Sequence, residues 1–200
     1  MRDSEFEFIR SVVYERSRIS LGPDKRELVS ARLGKRLRAT NLPNVGAYCR
    51  LLQSAGAEEE FANLIDVIST NHTFFFRESV HFDFLRDKAV PEFTERMRGG
   101  RATPFKVWSS ACSSGEEPYS VAITLAGVQP PLSWHIEATD ISRRILAKAA
   151  AAIYDEETVA RVPPALVRTH FQRGFGPQEG NYRVKAPLRE RVTFRHLNLL

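Results

Sequence analysis

Cysteine is scarce in this chain. It has two among 200 residues, Cys49 and Cys112, far apart and with neither a neighbouring CxxC nor metal-ligand spacing. Isolated thiols build neither a disulfide framework nor a zinc site, so both are expected to be reduced and structural, and no metal is expected. Long apolar runs are also lacking: nothing approaches the roughly 20 residues of a membrane span. The opening MRDSEFEFIR is acidic and amphipathic and lacks the apolar core of a secretory signal, so the expectation is a cytoplasmic protein without direct membrane insertion. No internal repeat, low-complexity tract or GxGxxG phosphate fingerprint occurs.

With 42% hydrophobic and 26% charged residues, the composition suits a globular chain with material for one full domain or two small ones, and argues against disorder. Net charge is +5, and residues 25–38 alone carry six basic residues against Glu27. Such a segment is ordinarily a solvated helix face. The sharper reading is a docking surface for an acidic partner, either nucleic acid or an acidic protein helix. Aromatic residues, which interleave with basic ones on nucleic-acid surfaces, are absent there, so no nucleic acid is expected as a partner.

Phe6, Ile9, Val12 and Val13 predict a first helix ending near Ser17, and Leu28, Val29, Leu33 and Leu37 a second over 24–38. VGAYCRLLQS gives a third, and Glu58, Glu59 and Glu60 open a fourth that runs to about Ser69. Residues 1–70 therefore read as a small helical bundle. Helix continues over 79–97, interrupted or restarted at Pro91. From Phe105 the pattern becomes strand, small-residue turn and helix from Glu116; WHIEATD is a second strand and ISRRILAKAAAAI a second helix. Short alternating runs, NYRVKA and RVTFRHLNLL, close the chain as small strands or a hairpin ending in a third main strand. Helices followed by βαβα and β predict a helical cap on a doubly wound α/β sheet.

Ligands of such sheets bind at the carboxyl ends of the strands. There SSACSSGEEPYS offers small residues that let a ligand approach the backbone, and a helix start at Glu116. Glu116 and Glu117 would repel phosphate and attract a cation; the plain alternative is that they complement the helix dipole. Asp140 ends the second strand, 25 residues beyond Gly115 (140 − 115), near the spacing of an acid that binds ribose hydroxyls, although a helix N-cap would also explain it. A nucleoside carrying positive charge satisfies both features, and S-adenosylmethionine fits that description. At the third strand, Asn198 suits an adenine edge or a nearby backbone group and Leu199 a base face; routine strand-end packing accounts for them equally well.

Taken together, TNHTFFFRES, FKVWSSACSSGEEPYSVAITL, EATDIS and VTFRHLNLL, in that order after a helical domain, resemble the chemotaxis receptor methyltransferases, the CheR family. The resemblance covers essentially the whole chain. It implies a bundle over 1–70 followed, over 71–200, by a Rossmann-like S-adenosylmethionine-binding sheet with a small antiparallel β-subdomain at about 171–195. It implies methyl transfer from S-adenosylmethionine to glutamate side chains on the cytoplasmic helices of methyl-accepting chemoreceptors, with methyl esters and S-adenosylhomocysteine as products, by a monomer recruited to membrane receptor arrays. Cofactor contacts are implied for Asn71, Thr73, Arg77, Glu117, Asp140, Asn198 and Leu199, with Glu116 the neighbour to test beside Glu117. Arg77 would also steer the reacting glutamate; a capping or surface ion pair is the alternative for it. Arg32, Lys35, Arg36 and Arg38 look like the receptor-facing surface. Phe75 and Phe76 are expected to pack the junction between the helical domain and the sheet.

A family member would continue past Leu200 through further strands. About one βαβαβ half is visible, the C-terminal half of the sheet being absent, which leaves the first strand without its central neighbour. A non-catalytic receptor- or scaffold-binding module derived from the family is the alternative function on that ground.

Overall fold

Apolar spacing and end signals account for the first helices of the computed structural model, which describes residues 1–98, 100 and 103–200. Helix α1 (Asp3–Ser17) buries Phe6, Ile9 and Val13, and Arg2 and Glu5 close a capping box at its start. A 3₁₀ turn with Pro23 at its first position leads into α2 (Arg26–Thr40), which buries Val29 and Leu33. Asn44 caps α3 (Val45–Gln53) by accepting from the Ala47 amide, and α4 (Glu58–Ile68) carries three glutamates in its first turn. These faces meet in one core with Tyr48, Leu52, Leu64, Ile65 and Ile68, each large apolar side chain contributing about 1.5–3 kcal/mol by leaving water. This compact unit comprises Met1–Thr70, Ile141–Arg143 and Leu197–Leu200; Ile141 packs against its core.

The second unit comprises Asn71–Asp140 and Arg144–His196. It opens with α5 (Ser79–Phe84), a π-helical segment Leu85–Ala89, and α6 (Val90–Arg96). Pro91 lacks an amide donor and crowds the carbonyl four residues back. The interruption therefore falls on the turn before the proline, where wider π bonding accommodates it. Next come β1 (Phe105–Ser110), α7 (Glu116–Ala126), β2 (Trp134–Asp140) and α8 (Arg143–Ala151), and later β6 (Val192–His196). The three strands form a parallel sheet in the order β1-β2-β6, with Ser109 beside Ala138 and Ala138 beside Phe194.

Side-chain alternation splits this sheet into unlike faces. Val107, Ile136, Ala138, Val192 and Phe194 share the face that joins the core, where Tyr119 of α7 meets Phe194 at 5.8 Å. Polar pairs occupy the other: Trp108 Nε1 donates to Thr139 Oγ1 at 3.0 Å, His135 meets Thr193 at 3.1 Å, and Arg195 pairs with Glu137 at 3.4 Å. Among the described residues strand β1 pairs with β2 alone, and Trp108 is 58% exposed.

A second, antiparallel sheet has the order β3-β5-β4, built from Ile153–Asp155, Asn181–Val184 and Phe171–Arg173. It starts earlier than the expected 171. The alanine run that predicts helix through Ile153 ends at Ala151, because Ala152 turns left-handed (φ 55°) and its carbonyl accepts from the Val184 amide at 3.0 Å. At the far end, residues 192–195 pair with β2 rather than in this small sheet, since Val192 and Phe194 alternate onto the apolar face. Between β3 and β4 lie two helices without a clear periodic signal: α9 (Glu156–Val159), capped by Asp155, and α10 (Pro164–His170). A last short helix, α11 (Ala186–Arg189), precedes β6. Among the described residues no helix is long and apolar enough to cross a membrane.

Candidate functional site

The turn between β1 and α7 is built from left-handed residues: Ala111 (φ 57°), Ser113 (φ 51°) and Gly115 (φ 95°). Such a backbone is costly for residues with a Cβ and needs fixed partners. They are present. The Cys112 amide donates to the Thr139 carbonyl at 2.9 Å, the Ser113 amide to Asp140 Oδ2 at 2.8 Å, and Tyr154 Oη to the Ser114 carbonyl at 2.8 Å. At Gly115 a Cβ would lie 2.8 Å from Tyr154 Oη and 3.0 Å from Ala149 Cβ, so the turn sits directly on α8 and β3.

The two adjacent glutamates at the head of α7 divide. Glu116 is buried and accepts from Ser114 Oγ at 2.6 Å, which ties it to the turn. Glu117 is exposed and accepts from Ser109 Oγ at 2.6 Å, which holds its carboxylate at the carboxyl end of β1. Asp140 is buried at the carboxyl end of the neighbouring strand β2. Two carboxylates thus stand at the ends of adjacent parallel strands, about 5 Å apart as strands. Their field pushes the Cys112 thiol in the same direction as burial: burial, then Asp140, raises it to about 12 and leaves it unreactive.

This donor set suits a cationic nucleoside better than a pyrophosphate. Asp140 can accept from ribose hydroxyls, Glu117 can face an amino group or a sulfonium, and Gly115 keeps the turn free of a side chain. Ser113 Oγ, buried beside Asp140, is one of two buried side-chain polar atoms without a hydrogen-bond partner among the described residues, the mark of a turn that is not polar-saturated by the protein alone. Sequence reasoning singled out Asp140 and Glu117. It passed over Ser109, Ser113 and Tyr154: the serines lay in view within the small-residue stretch, whereas Tyr154 gave no signal because its role depends on the small sheet.

Residues 71–77 form the loop before α5. Phe75 is buried, with its ring edge-on to Tyr154 (4.9 Å) and Phe171 (5.5 Å); Phe76, at φ 56°, packs on Phe82 (5.3 Å). Both pack in the core of the second unit, where their aromatic partners come from the small sheet and α5. Phe74 lies under the Arg161 guanidinium at 4.5 Å. Asn71 and Thr73 are half-buried. Arg77 is exposed, donates to the His72 carbonyl at 2.8 Å and pairs loosely with Glu78 at 3.9 Å, so its contacts are those of the plainer ion-pair reading.

Asn198 and Leu199 lie beyond the end of β6 and group with the helical unit, where Asn198 Nδ2 donates to the Arg16 carbonyl at 2.9 Å and Leu199 is exposed. The four cations expected on one surface also divide. Arg32 donates to the Ile68, Ser69 and Thr70 oxygens at the end of α4, a helix C-terminus that attracts cations. Arg36 forms a two-pronged pair with Glu60 at 2.9 and 2.7 Å, and Tyr48 donates to the same carboxylate. Burial acts to raise the Glu60 pKa, but the Arg36 and Tyr48 hydrogen bonds outweigh it and hold Glu60 below the usual carboxylate range. Both arginines are spent inside the helical unit; Lys35 and Arg38 remain exposed. Spacing on a helix cannot tell these pairs apart, because their partners lie 24 to 38 residues away.

A helical unit preceding a parallel α/β unit, with carboxylates instead of a phosphate cradle at the strand ends, defines a Rossmann-like α/β protein. Comparison with known families agrees: the CheR methyltransferase all-alpha domain matches residues 4–69, and the CheR methyltransferase SAM binding domain matches residues 71–200. The chain belongs to the CheR methyltransferase family. Among similar proteins, the chemotaxis protein methyltransferase of Escherichia coli is 40% identical over all of this chain and 68% of its own length. That of Borreliella burgdorferi is 36% identical over 94% of this chain and 67% of its own, and chemotaxis protein methyltransferase 2 of Pseudomonas aeruginosa is 38% identical over 98% and 68%. A SAM binding domain makes S-adenosylmethionine the methyl donor.

Proposed function

We propose that this chain binds S-adenosylmethionine at the Asp140 and Glu117 ends of β2 and β1 and directs its methyl group to glutamate side chains on the cytoplasmic helices of chemoreceptors. The observation that carries this reading is the pairing of Glu117, held by Ser109, with Asp140, held by Ser113, at adjacent strand ends. In this reading Asp140 takes the ribose hydroxyls, Glu117 the cationic part of the cofactor, Asn71, Thr73 and Arg77 cover it, and Asn198 and Leu199 take the adenine.

When bound, the donor would supply an already activated sulfonium methyl: a substrate carboxylate oxygen that bonds to this carbon as its bond to sulfur breaks gives a neutral methyl ester and a neutral thioether, with no proton to move. This chain's residues therefore need only align the carboxylate and exclude water. Arg77 is the candidate to steer that carboxylate. Lys35 and Arg38 offer an acidic receptor helix its electrostatic complement, while Arg32 and Arg36 hold α2 in place for them. The protein acts as a monomer in the cytoplasm, brought to receptor arrays by its substrate.

Calorimetry with S-adenosylhomocysteine tests the site. Asp140→Ala is expected to weaken binding by roughly 10- to 100-fold, the worth of charged hydrogen bonds to hydroxyls. Methyl transferred to a receptor fragment should be released by mild base, as an ester is; a base-stable product, or no S-adenosylhomocysteine binding by the unsubstituted protein, would sink the reading.

A further inference from the structure

Ser120 lies on α7, fully buried, one helical turn past Glu116. Its hydroxyl makes two bonds: it donates to the Glu116 carbonyl at 2.7 Å and accepts from the Phe76 amide at 2.9 Å. The first is the familiar bond of a helical serine to the carbonyl four residues back. The second crosses 44 residues to a phenylalanine held at φ 56°, a conformation that a bulky side chain avoids unless its surroundings impose it.

Phe76 is one residue from Arg77 and three from Thr73. Its neighbour Phe75 meets Tyr154 edge-on, the Tyr154 hydroxyl donates to the Ser114 carbonyl, and Ser114 Oγ in turn donates to Glu116. One connected network therefore joins the 71–77 loop to the 111–117 turn. Tyr154 anchors it from the small sheet, and Ser120 is the point where the loop backbone meets the helix that carries both glutamates.

We propose that Ser120 is a positioning residue for the cofactor site: by holding the Phe76 amide it fixes the left-handed bend that aims Thr73 and Arg77 at the ligand bound by Asp140 and Glu117. The proposal rests on the cofactor reading above. Ser120→Ala removes the acceptor and leaves the strained bend without its tie, whereas Ser120→Thr keeps the hydroxyl and the bond to Glu116.

The test is made on the full-length protein with S-adenosylhomocysteine as the probe. Ser120→Ala should weaken its binding roughly 5- to 30-fold, with Ser120→Thr close to the unsubstituted protein, and should raise KM for S-adenosylmethionine more than it lowers kcat. Equal affinity in Ser120→Ala, or a Ser120→Thr as weak as the alanine variant, overturns the proposal. Hydrogen exchange of the unsubstituted protein supplies an arm that does not depend on the variants folding. The Phe76 amide should exchange slowly without ligand and more slowly with it. Exchange at the rate of an open loop amide refutes the tie itself, whereas failure of the unsubstituted protein to bind the probe while that amide stays protected refutes the cofactor reading alone.

Discussion

Gly115→Ala concentrates the physical demands of the turn in a single methyl group. At φ 95° the residue is left-handed, which costs an L-amino acid about 1–2 kcal/mol. The new Cβ would also meet Tyr154 Oη at 2.8 Å and Ala149 Cα at 3.1 Å, and the second of these is backbone of α8, which cannot swing away. Overpacking of that kind costs about 1–3 kcal/mol, and displacing Tyr154 from the Ser114 carbonyl about 1 more. Together these make about 3–6 kcal/mol, a large part of the roughly 5–15 kcal/mol that holds a domain together. For a chain of this size the melting point of the second unit should fall by roughly 6–24 °C. Thermal unfolding followed by near-ultraviolet circular dichroism measures it, with Gly127→Ala as the control, because at φ −86° that glycine has only ordinary contacts, at 3.5 Å and beyond. A Gly115→Ala protein that melts within about 1 °C of the unsubstituted one would refute the close approach of the turn to α8.

Two further predictions concern the helical unit. Glu60→Gln should cost about 2–3 kcal/mol by leaving Arg36 and Tyr48 without their shared anion, read by urea unfolding. Because the folded-state pKa of Glu60 lies below its ordinary value of 4.5, its contribution is fully present above about pH 4.5 and is lost as pH falls through the lower, folded value. Unfolding of the unsubstituted protein should therefore show an acid-side loss that is smaller in Glu60→Gln; identical pH profiles would refute the assignment. Reversing Lys35 and Arg38 to glutamate should cost no more than about 1 kcal/mol of stability, Arg38 lying in the last turn of α2, and weaken binding to an acidic receptor helix about tenfold at low salt, a difference that fades as salt is added. Binding that is indifferent to both charges would remove this surface from the substrate path.

How legible the site was depended on the range of the interaction that makes each part of it. Asp140 and Glu117 were visible because a strand end and a helix start bracket them within a few residues. The resemblance put Glu117 before Glu116, but their different surroundings were not visible, since these turn on Ser114 reaching one carboxylate and Ser109 the other once the turn is left-handed. Arg32 and Arg36 looked equivalent to Lys35 and Arg38 on a basic helix, and only the packing of α4 against α2 separated structural cations from exposed ones.

Local chemistry, then, was settled by the sequence itself. Periodicity of 3.6 or 2, proline and asparagine at helix starts, and glutamates in first turns are signals read over a single turn or strand, and they located the helices of the bundle and the three parallel strands. Tertiary structure decided what depends on partners distant along the chain. It ended α8 at Ala151 so that Ile153–Asp155 could pair with Asn181–Val184, and thereby brought Tyr154 under the 111–115 turn. It also bent Phe76 against Ser120, 44 residues away. No local pattern encodes such contacts, because the free energy that selects them comes from burying side chains and pairing backbone groups that meet only when the chain has folded.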